Sequence, residues 1–527
     1  MVIQPDALYS AVCTDLRIYP ELGDDVIPNP WDSSRTVAKK LLVKALLKKL
    51  EPEQENSVAN EAALKEFLRC NSKCKTWSWC ETDDGSLVGT FWSAFKGNLK
   101  KNVFEFFGGN NPPPYMEFFL SDLHKEGDLG PGMNVQSLGT DYYTKLYASP
   151  LSCTSDFLAE LYFSETNKDK LQVAAEQVRY RFFGDPVRVP GSKIAYAPKY
   201  RDISRTIATE PTLNMFYQRG VAKLIDRRTK AVFGIDLSNQ QTVNRELARS
   251  GSLLGQLCTI DLKSASDLLA KLMMQEFLPK RVFSLLSKVR SPVVMINDDE
   301  VPLEMMSSMG CGFTFSLMTA FFACVVQTCY DAVGIRLETG TGASQRLPNF
   351  GVFGDDLIVV RPVYDLLVNA LEKLGLEVNA QKSFKDGSFR ESCGGDFWQG
   401  QPVRAVYAKH LSDTADIYSL INRLTRWGAT HNVDLPLTFK LLTSKVRHVY
   451  VPILEADDSG IKVPASVLPQ KLLKKQFKNG YGLIFYKVFN PIESRISISE
   501  DGYLVAPKKA KRRPFNYHGL LSAMLQG

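Results

Sequence analysis

Apolar and polar positions follow two rhythms along this chain, and the change from one to the other outlines its parts. Helical spacing, with apolar residues three or four apart, marks Val37 to Leu50, Asn60 to Leu68 and Asp169 to Phe183. An aromatic-rich section from Trp77 to Phe107 ends in the breaker cluster Gly108-Gly109-Asn110-Asn111-Pro112-Pro113-Pro114. From Val187 to Lys230, basic residues alternate with turn formers, and short strands are expected. Between about 251 and 410 the order is strand, helix, glycine loop, long helix and hairpin, the pattern of an α+β domain with a mainly antiparallel sheet. After about 411, helical segments at Thr414 to Trp427 and Leu437 to Val446 lead to strand-like Tyr481 to Val488 and a basic tail, Pro507 to Pro514. No internal repeat is evident.

The pattern also sets two look-alikes aside. Phe313 to Tyr330 is the most apolar long stretch, but Thr314, Ser316, Thr319, Gln327 and Thr328 interrupt it, so a buried helix is expected and no membrane partner. Cys70, Cys74 and Cys80 have no histidine nearby and no evident fourth ligand, and are read as ordinary thiols rather than a zinc site. The 527 residues, 44% hydrophobic, suffice for two to four domains and a sizeable core. A net charge of +7 permits a polyanionic partner without requiring one. No secretory signal is read at Met1 to Asp6, and the ten cysteines fall mostly in apolar stretches, so a cytosolic protein with reduced thiols is expected.

The candidate chemistry begins at Phe353-Gly354-Asp355-Asp356, between the apolar runs 350–352 and 357–360. A strand, a tight turn and a strand would display both acids at a hairpin tip, with Gly354 permitting the turn. Alone, such a pair is more often a solvated turn in which Asp bonds its own backbone. Its company changes the reading. In Leu257 to Asp261 a short apolar strand ends in another acid, and three carboxylates from two adjacent strands suit a nucleotide-bound Mg²⁺. Asp261, Asp355 and Asp356 are therefore the candidate metal ligands. Asp267 also fits a capping box, Ser264-x-x-Asp267, at a helix start. Ser308, Gly310 and Thr314 lie in a glycine loop ahead of the long helix, where backbone amides could meet a nucleotide or template, although glycines there also serve close packing. Lys193, Lys199, Arg201 and Arg205, interleaved with Tyr196 and Tyr200, could aim cations at triphosphate or template phosphates, or form a solvated face. The basic tail could be a nucleic-acid-binding arm or merely solvated.

The order of these blocks, followed by Val378 to Phe384, resembles an RNA-dependent RNA polymerase. More narrowly, residues 207–211, 234–237, 261–267, 307–310 and 389–394 resemble the replicase beta subunit of small positive-strand RNA bacteriophages of the Q-beta (levivirus) type. The resemblance implies a right-hand polymerase fold: residues 1–250 mainly fingers with palm-supporting parts, 251–410 the palm, and 411–527 the thumb and basic tail. It implies that Asp261, Asp355 and Asp356 hold two Mg²⁺ ions, with Mn²⁺ as an alternative, for in-line nucleotidyl transfer. Lys199, Arg201 and Arg205 resemble the fingers motif that contacts incoming triphosphate, and Lys382 resembles the lysine that protonates pyrophosphate. It implies further a single-stranded RNA template, ribonucleoside triphosphates, initiation without a primer, and the cytoplasm of an infected bacterial host. Host elongation factors Tu and Ts and an OB-fold small-subunit ribosomal protein are the implied partners. Three positions depart from the wider class. The offset of a ribose-sensing acid is occupied by Ser266, with Asp267 one later, Met318 stands where an Asn is common, and Phe353 replaces Tyr. A reverse transcriptase shares the metal logic, but Gly354 favours the RNA polymerase. A non-catalytic RNA-binding regulatory protein, with the acids as mere caps, is the alternative of another class. A structural phage protein would give no reason for acids at two strand ends around a glycine loop.

Overall fold

Leu257–Lys263 is the longest strand of the central antiparallel sheet because Leu257, Cys258, Thr259, Ile260 and Leu262 are all buried, which a sheet covered on both faces requires. Its neighbours are Glu377–Val378 on one side and Asp356–Val360 on the other, with Gly351–Phe353 at the far edge, and every pairing is antiparallel. In this computed structural model the described residues are 3–22, 26–51, 56–79, 86–340, 347–468, 474–478, 481–485, 488–489, 497–498, 503–505 and 513–526. Cys80 and residues 507–512 of the basic tail lie outside them. The chain is α+β with mainly antiparallel pairing, as the patterning suggests, although Ser192–Tyr200 pairs with Val293–Ile296 in parallel.

Two compact units emerge, neither continuous in sequence. The larger comprises Asn60–Ala197, Arg205–Gly395 and Ile496–Gly527, and holds the central sheet. Its core is organised by the helix Thr314–Val333, which packs against the helices Thr212–Phe233 and Leu87–Phe106 and against the strand Gly351–Phe353. This helix is long and apolar enough to cross a membrane, but 78% of its most apolar window is buried inside the protein, as expected of a core helix. A second sheet runs in the order Ile203–Thr209, Ser192–Tyr200, Val293–Ile296, Asp299–Pro302. The tip of its first hairpin, Pro198–Ser204, is grouped with the smaller unit, together with Met1–Ala59 and Asp396–Arg495. There the helix Pro5–Leu16 packs on Pro436–Thr443, and Thr414–His431 packs on Pro436–Thr443 and on the strand Ile461–Val463.

Some expectations required correction. Short strands were expected throughout Val187 to Lys230, yet Thr212–Phe233 is a helix of 22 residues. Leu213, Phe216, Tyr217, Val221, Leu224 and Ile225 recur at helical spacing and are all buried, so packing outweighs the interspersed basic residues. The helix expected from Leu268 starts at Lys271, after a short 3₁₀ turn at Ala265–Asp267. Every described cysteine is a free thiol, and burial pushes Cys70 and Cys74 up to about 12.

Candidate active site

The strand register brings the acids together. Asp261 and Asp356 are direct partners across the two central strands, and Phe353 pairs with Asp356 from the other side, leaving Gly354 and Asp355 as the turn. Gly354 has φ +61, and a Cβ there would lie 2.4 Å from Cε2 of Phe315. Its amide donates to Thr319 Oγ1 at 3.0 Å, and Phe353 stacks edge-on against Phe315 with ring centroids 4.6 Å apart. The long helix thus seats the acid-bearing turn through three residues. Met318, where an Asn is common in the wider class, presents its methyl group beneath Gly354, 3.1 Å from the position a Cβ would take.

A single later segment supplies hydrogen bonds to two of the acids. Asn379 donates its side-chain amide to Asp261 Oδ2 at 2.7 Å and its backbone N–H to the Asp261 carbonyl at 2.8 Å, while the Asp261 N–H donates to Ser383 Oγ at 3.2 Å. Ser392 donates to Asp356 Oδ1 at 3.3 Å, and Cys393 bonds the same carboxylate through its backbone and thiol. Arg390 organises the segment between these contacts. Fully buried, it donates to the carbonyls of Leu257, Lys385, Gly387 and Phe389 at 2.7–2.9 Å. Lys382, half-buried in this segment, has its Nζ 3.8 Å from Glu391 Oε1. Asn379, Arg390 and Ser392 lie in segments that carry the resemblance, but their individual roles had no signal in the sequence, because a single polar residue has no periodicity and its partner is far away along the chain.

Burial and the neighbouring charges of Asp355 and Asp261 push Asp356 up to about 6, against the lowering effect of Cys393. Clustered carboxylates that resist ionisation are the donor set a divalent cation relieves. Among the described residues no three acidic, histidine or cysteine side chains form a preassembled metal cage. That is compatible with Mg²⁺, which takes one or two carboxylates and fills its octahedron with water and phosphate oxygens. Asp261, Asp355 and Asp356 fit that role.

The other candidates fall elsewhere. Asp267 is half-buried, desolvation of its carboxyl pushes it up to about 6, and its Oδ1 accepts the Met309 N–H at 3.1 Å, tying the 3₁₀ turn to the glycine loop. The expected capping box does not form: Ser264 sits at φ +48, makes no side-chain cap, and donates instead to Glu66 Oε1 at 3.0 Å. In the glycine loop, Thr314 Oγ1 and the Cys311 N–H both donate to the Ser308 carbonyl, and the Gly312 N–H donates to Gln218 Oε1 at 2.8 Å. Gly310, at φ +112, lets the loop press on the strand Ile203–Thr209, since a Cβ would lie 2.2 Å from the Ala208 carbonyl oxygen. The amides of Met309, Cys311 and Gly312 and the Thr314 hydroxyl are thus bonded inside the protein, while the buried Ser307 hydroxyl has no partner. Arg205 is exposed on that strand in the larger unit, whereas Lys199 and Arg201 are exposed in the smaller one.

Residues 147–463, more than half of the chain, match the family described as RNA replicase, beta-chain. The chain is similar to the RNA-directed RNA polymerase beta chain of Escherichia phage MS2, 36% identical over 52% of this chain and 48% of that one. It is similar also to that of Enterobacteria phage fr, 36% identical over 48% of this chain and 44% of that one. The corresponding beta subunit of Escherichia virus Qbeta is 31% identical over 56% of this chain and 45% of its own. Among solved structures, an RNA-dependent RNA polymerase of a human picorbirnavirus aligns over 84% of this chain and 90% of its own, with 11% identity and a TM-score of 0.37. The chain spans about half the length of the curated relatives it matches. By the extent of the matching segment, the chain belongs to the RNA replicase beta-chain family.

Proposed function

We propose that this chain is the RNA-directed RNA polymerase subunit of a bacteriophage replicase, copying single-stranded RNA from ribonucleoside triphosphates. The observation that carries the reading is the pairing of Asp261 with Asp356 across two strands, with Asp355 in the adjoining turn. When bound to these acids, two Mg²⁺ ions, or Mn²⁺ in their place, would supply charge neutralisation for the attacking oxygen and the departing pyrophosphate. The protein's share is to fix the acids. Asn379 holds Oδ2 of Asp261, and Ser392 and Cys393 hold the carboxylate of Asp356, so both side chains are oriented for a ligand. The 3′-oxygen of the growing RNA attacks the α-phosphorus in line, the bond to pyrophosphate breaks, and no covalent enzyme intermediate is needed. Lys382, with Glu391 as its neighbour, serves as the proton donor to pyrophosphate. Lys199, Arg201 and Arg205 serve the triphosphate or the template. Asp267, bound to the Met309 amide, serves the nucleotide through the loop it anchors rather than by direct contact.

Initiation without a primer, assembly with host elongation factors Tu and Ts and an OB-fold small-subunit ribosomal protein, and residence in the cytoplasm of an infected bacterium complete the proposal. They rest on kinship with the phage beta chains. The test is to incubate the purified chain, with and without bacterial extract, with a short C-ended RNA, Mg²⁺ and the four ribonucleotides, beside Asp355→Asn. Full-length complementary RNA from the wild type alone supports the polymerase, and a requirement for extract supports host subunits. Incorporation by a folded Asp355→Asn variant defeats the metal assignment, and preference for deoxynucleotides would turn the reading to a reverse transcriptase.

A further inference from the structure

The smaller unit gathers cations and tyrosines from three distant parts of the chain. Segments 44–51, 199–201 and 404–410 are knit by backbone hydrogen bonds: the Arg201 N–H donates to the Lys48 carbonyl at 3.2 Å, Ala408 to Leu46 at 2.7 Å, and Glu51 to Lys409 at 2.8 Å. Lys44, Lys48, Lys199, Arg201 and Lys409 are exposed there, with Lys49 and Arg404 half-buried beside them. Among the described residues the opposing charges are Asp202, Glu51, which faces His410 at 3.5 Å, and Asp396, which pairs with Arg404 at 2.9 Å. Among these residues positive charge dominates. A solvated charge run would come from neighbouring residues of one helix, whereas these cations converge through tertiary structure.

Two half-buried tyrosines lie among them. Lys48 Nζ stands 4.9 Å from the centroid of the Tyr200 ring and Lys199 5.7 Å, while Lys49 stands 4.3 Å from Tyr407 and the Arg404 guanidinium 5.8 Å. An aromatic face set among cations is the chemistry that takes an unpaired base on the ring and its phosphate on the cation. A duplex hides its base faces, so it would use the cations and not the rings. An acidic peptide would likewise leave the tyrosines without a role.

We propose that this surface binds single-stranded RNA, with backbone phosphates on Lys48, Lys49, Arg404 and Lys409 and unpaired bases on Tyr200 and Tyr407. The proposal rests on RNA being the chain's substrate and extends it to residues that no acid chemistry requires. The experiment is fluorescence anisotropy of a short labelled single-stranded RNA with the full chain across a salt series. Wild type is compared with Lys48→Ala/Lys409→Ala and with Tyr407→Leu, and thermal melts show that each variant is folded. The double variant should bind about 10-fold more weakly at moderate salt, with the slope of log affinity against log salt reduced by about 1.4, two phosphate contacts at about 0.7 each. Tyr407→Leu should weaken single-stranded binding at least about 5-fold, leaving the salt slope and any duplex binding unchanged. Unchanged affinities in folded variants overturn the proposal. So does a charge effect without a tyrosine effect, which would indicate a polyanion surface suited to an acidic protein. If no protein incorporates nucleotides, the polymerase reading fails while the binding series still decides this surface.

Discussion

Two glycine turns flank the long helix, and they use the same residue for opposite ends. Gly354 bends the chain so that Asp355 and Asp356 stand at the end of the sheet, and its floor is a flexible aromatic edge, Phe315. Gly310 bends the chain so that a loop closes on itself and on the Ala208 carbonyl. Around Gly354, carboxylates crowd one another and Asp356 is pushed up to about 6. Around Gly310, the amides of Met309, Cys311 and Gly312 already have acceptors within the protein. A glycine in a loop next to a helix is thus no sign of a ligand site by itself. The difference lies in whether the surrounding polar groups are already satisfied.

The largest test of this contrast is Asp355→Asn, for which nucleotide incorporation should fall by about 10³-fold or more, as expected for losing several kcal/mol of charge stabilisation. Its thermal melt should stay close to that of the wild type. Next come the glycines themselves. Gly310→Ala forces a methyl group against a backbone carbonyl at positive φ and should cost about 3 kcal/mol in urea unfolding. Gly354→Ala meets the swinging edge of Phe315 and the flexible end of Met318 rather than backbone and should cost about 1–2 kcal/mol, with its main effect on incorporation. Equal stability losses would erase the distinction between the two turns. Asn379→Ala should weaken Mn²⁺ binding, read by titration calorimetry without nucleotide, by about 10-fold, while Asn379→Ser should recover part of it. An unchanged affinity would mean that Asp261 needs no such support.

The smallest effect is a pH dependence. Because the folded-state value of Asp356 is raised above its unfolded value of 3.8, the native protein prefers the protonated acid. The stability this contributes is fully present below about 4 and is lost as pH rises through about 6. Metal-free Asp356→Asn should therefore melt above the wild type at pH 7, with the gap closing as pH falls towards 4. Adding Mg²⁺ at pH 7 should narrow the gap from the other side by stabilising the wild type. A gap that is constant from pH 4 to 7 would show that the crowding at Asp356 is absent.

Much of the sheet was legible from sequence for a physical reason. The apolar runs on either side of Asp355 and Asp356 and the buried run that carries Asp261 leave few ways to pack two strands without bringing their acids together, although the strand continues past Asp261 to Lys263 and its register was not legible. The long helix was legible from its apolar content, since nothing but a core accommodates Phe321, Phe322, Val325 and Val326 together. What could not be read was the support. Asn379 reaches Asp261 across 118 residues of chain, and Asp267 finds its donor in a loop 42 residues on. Both are tertiary coincidences with no local pattern. The helix at Thr212–Phe233 did carry a periodic signal, but cations at Arg219, Lys223, Arg227 and Arg228 on its polar side drew attention away from the buried one.

The cross-strand pairing of Asp261 with Asp356 also bears on which kinds of genetic change this chain tolerates. Side chains on a strand alternate between faces, so adding or removing one residue between Gly351 and Val360 would turn an acid to the opposite side of the sheet while preserving every residue type nearby. Substitutions around the site can be softened by repacking of Phe315 or Met318. Insertions and deletions cannot, and a shift of this short stretch by a single codon separates the paired acids at once, however conservative the change looks in composition.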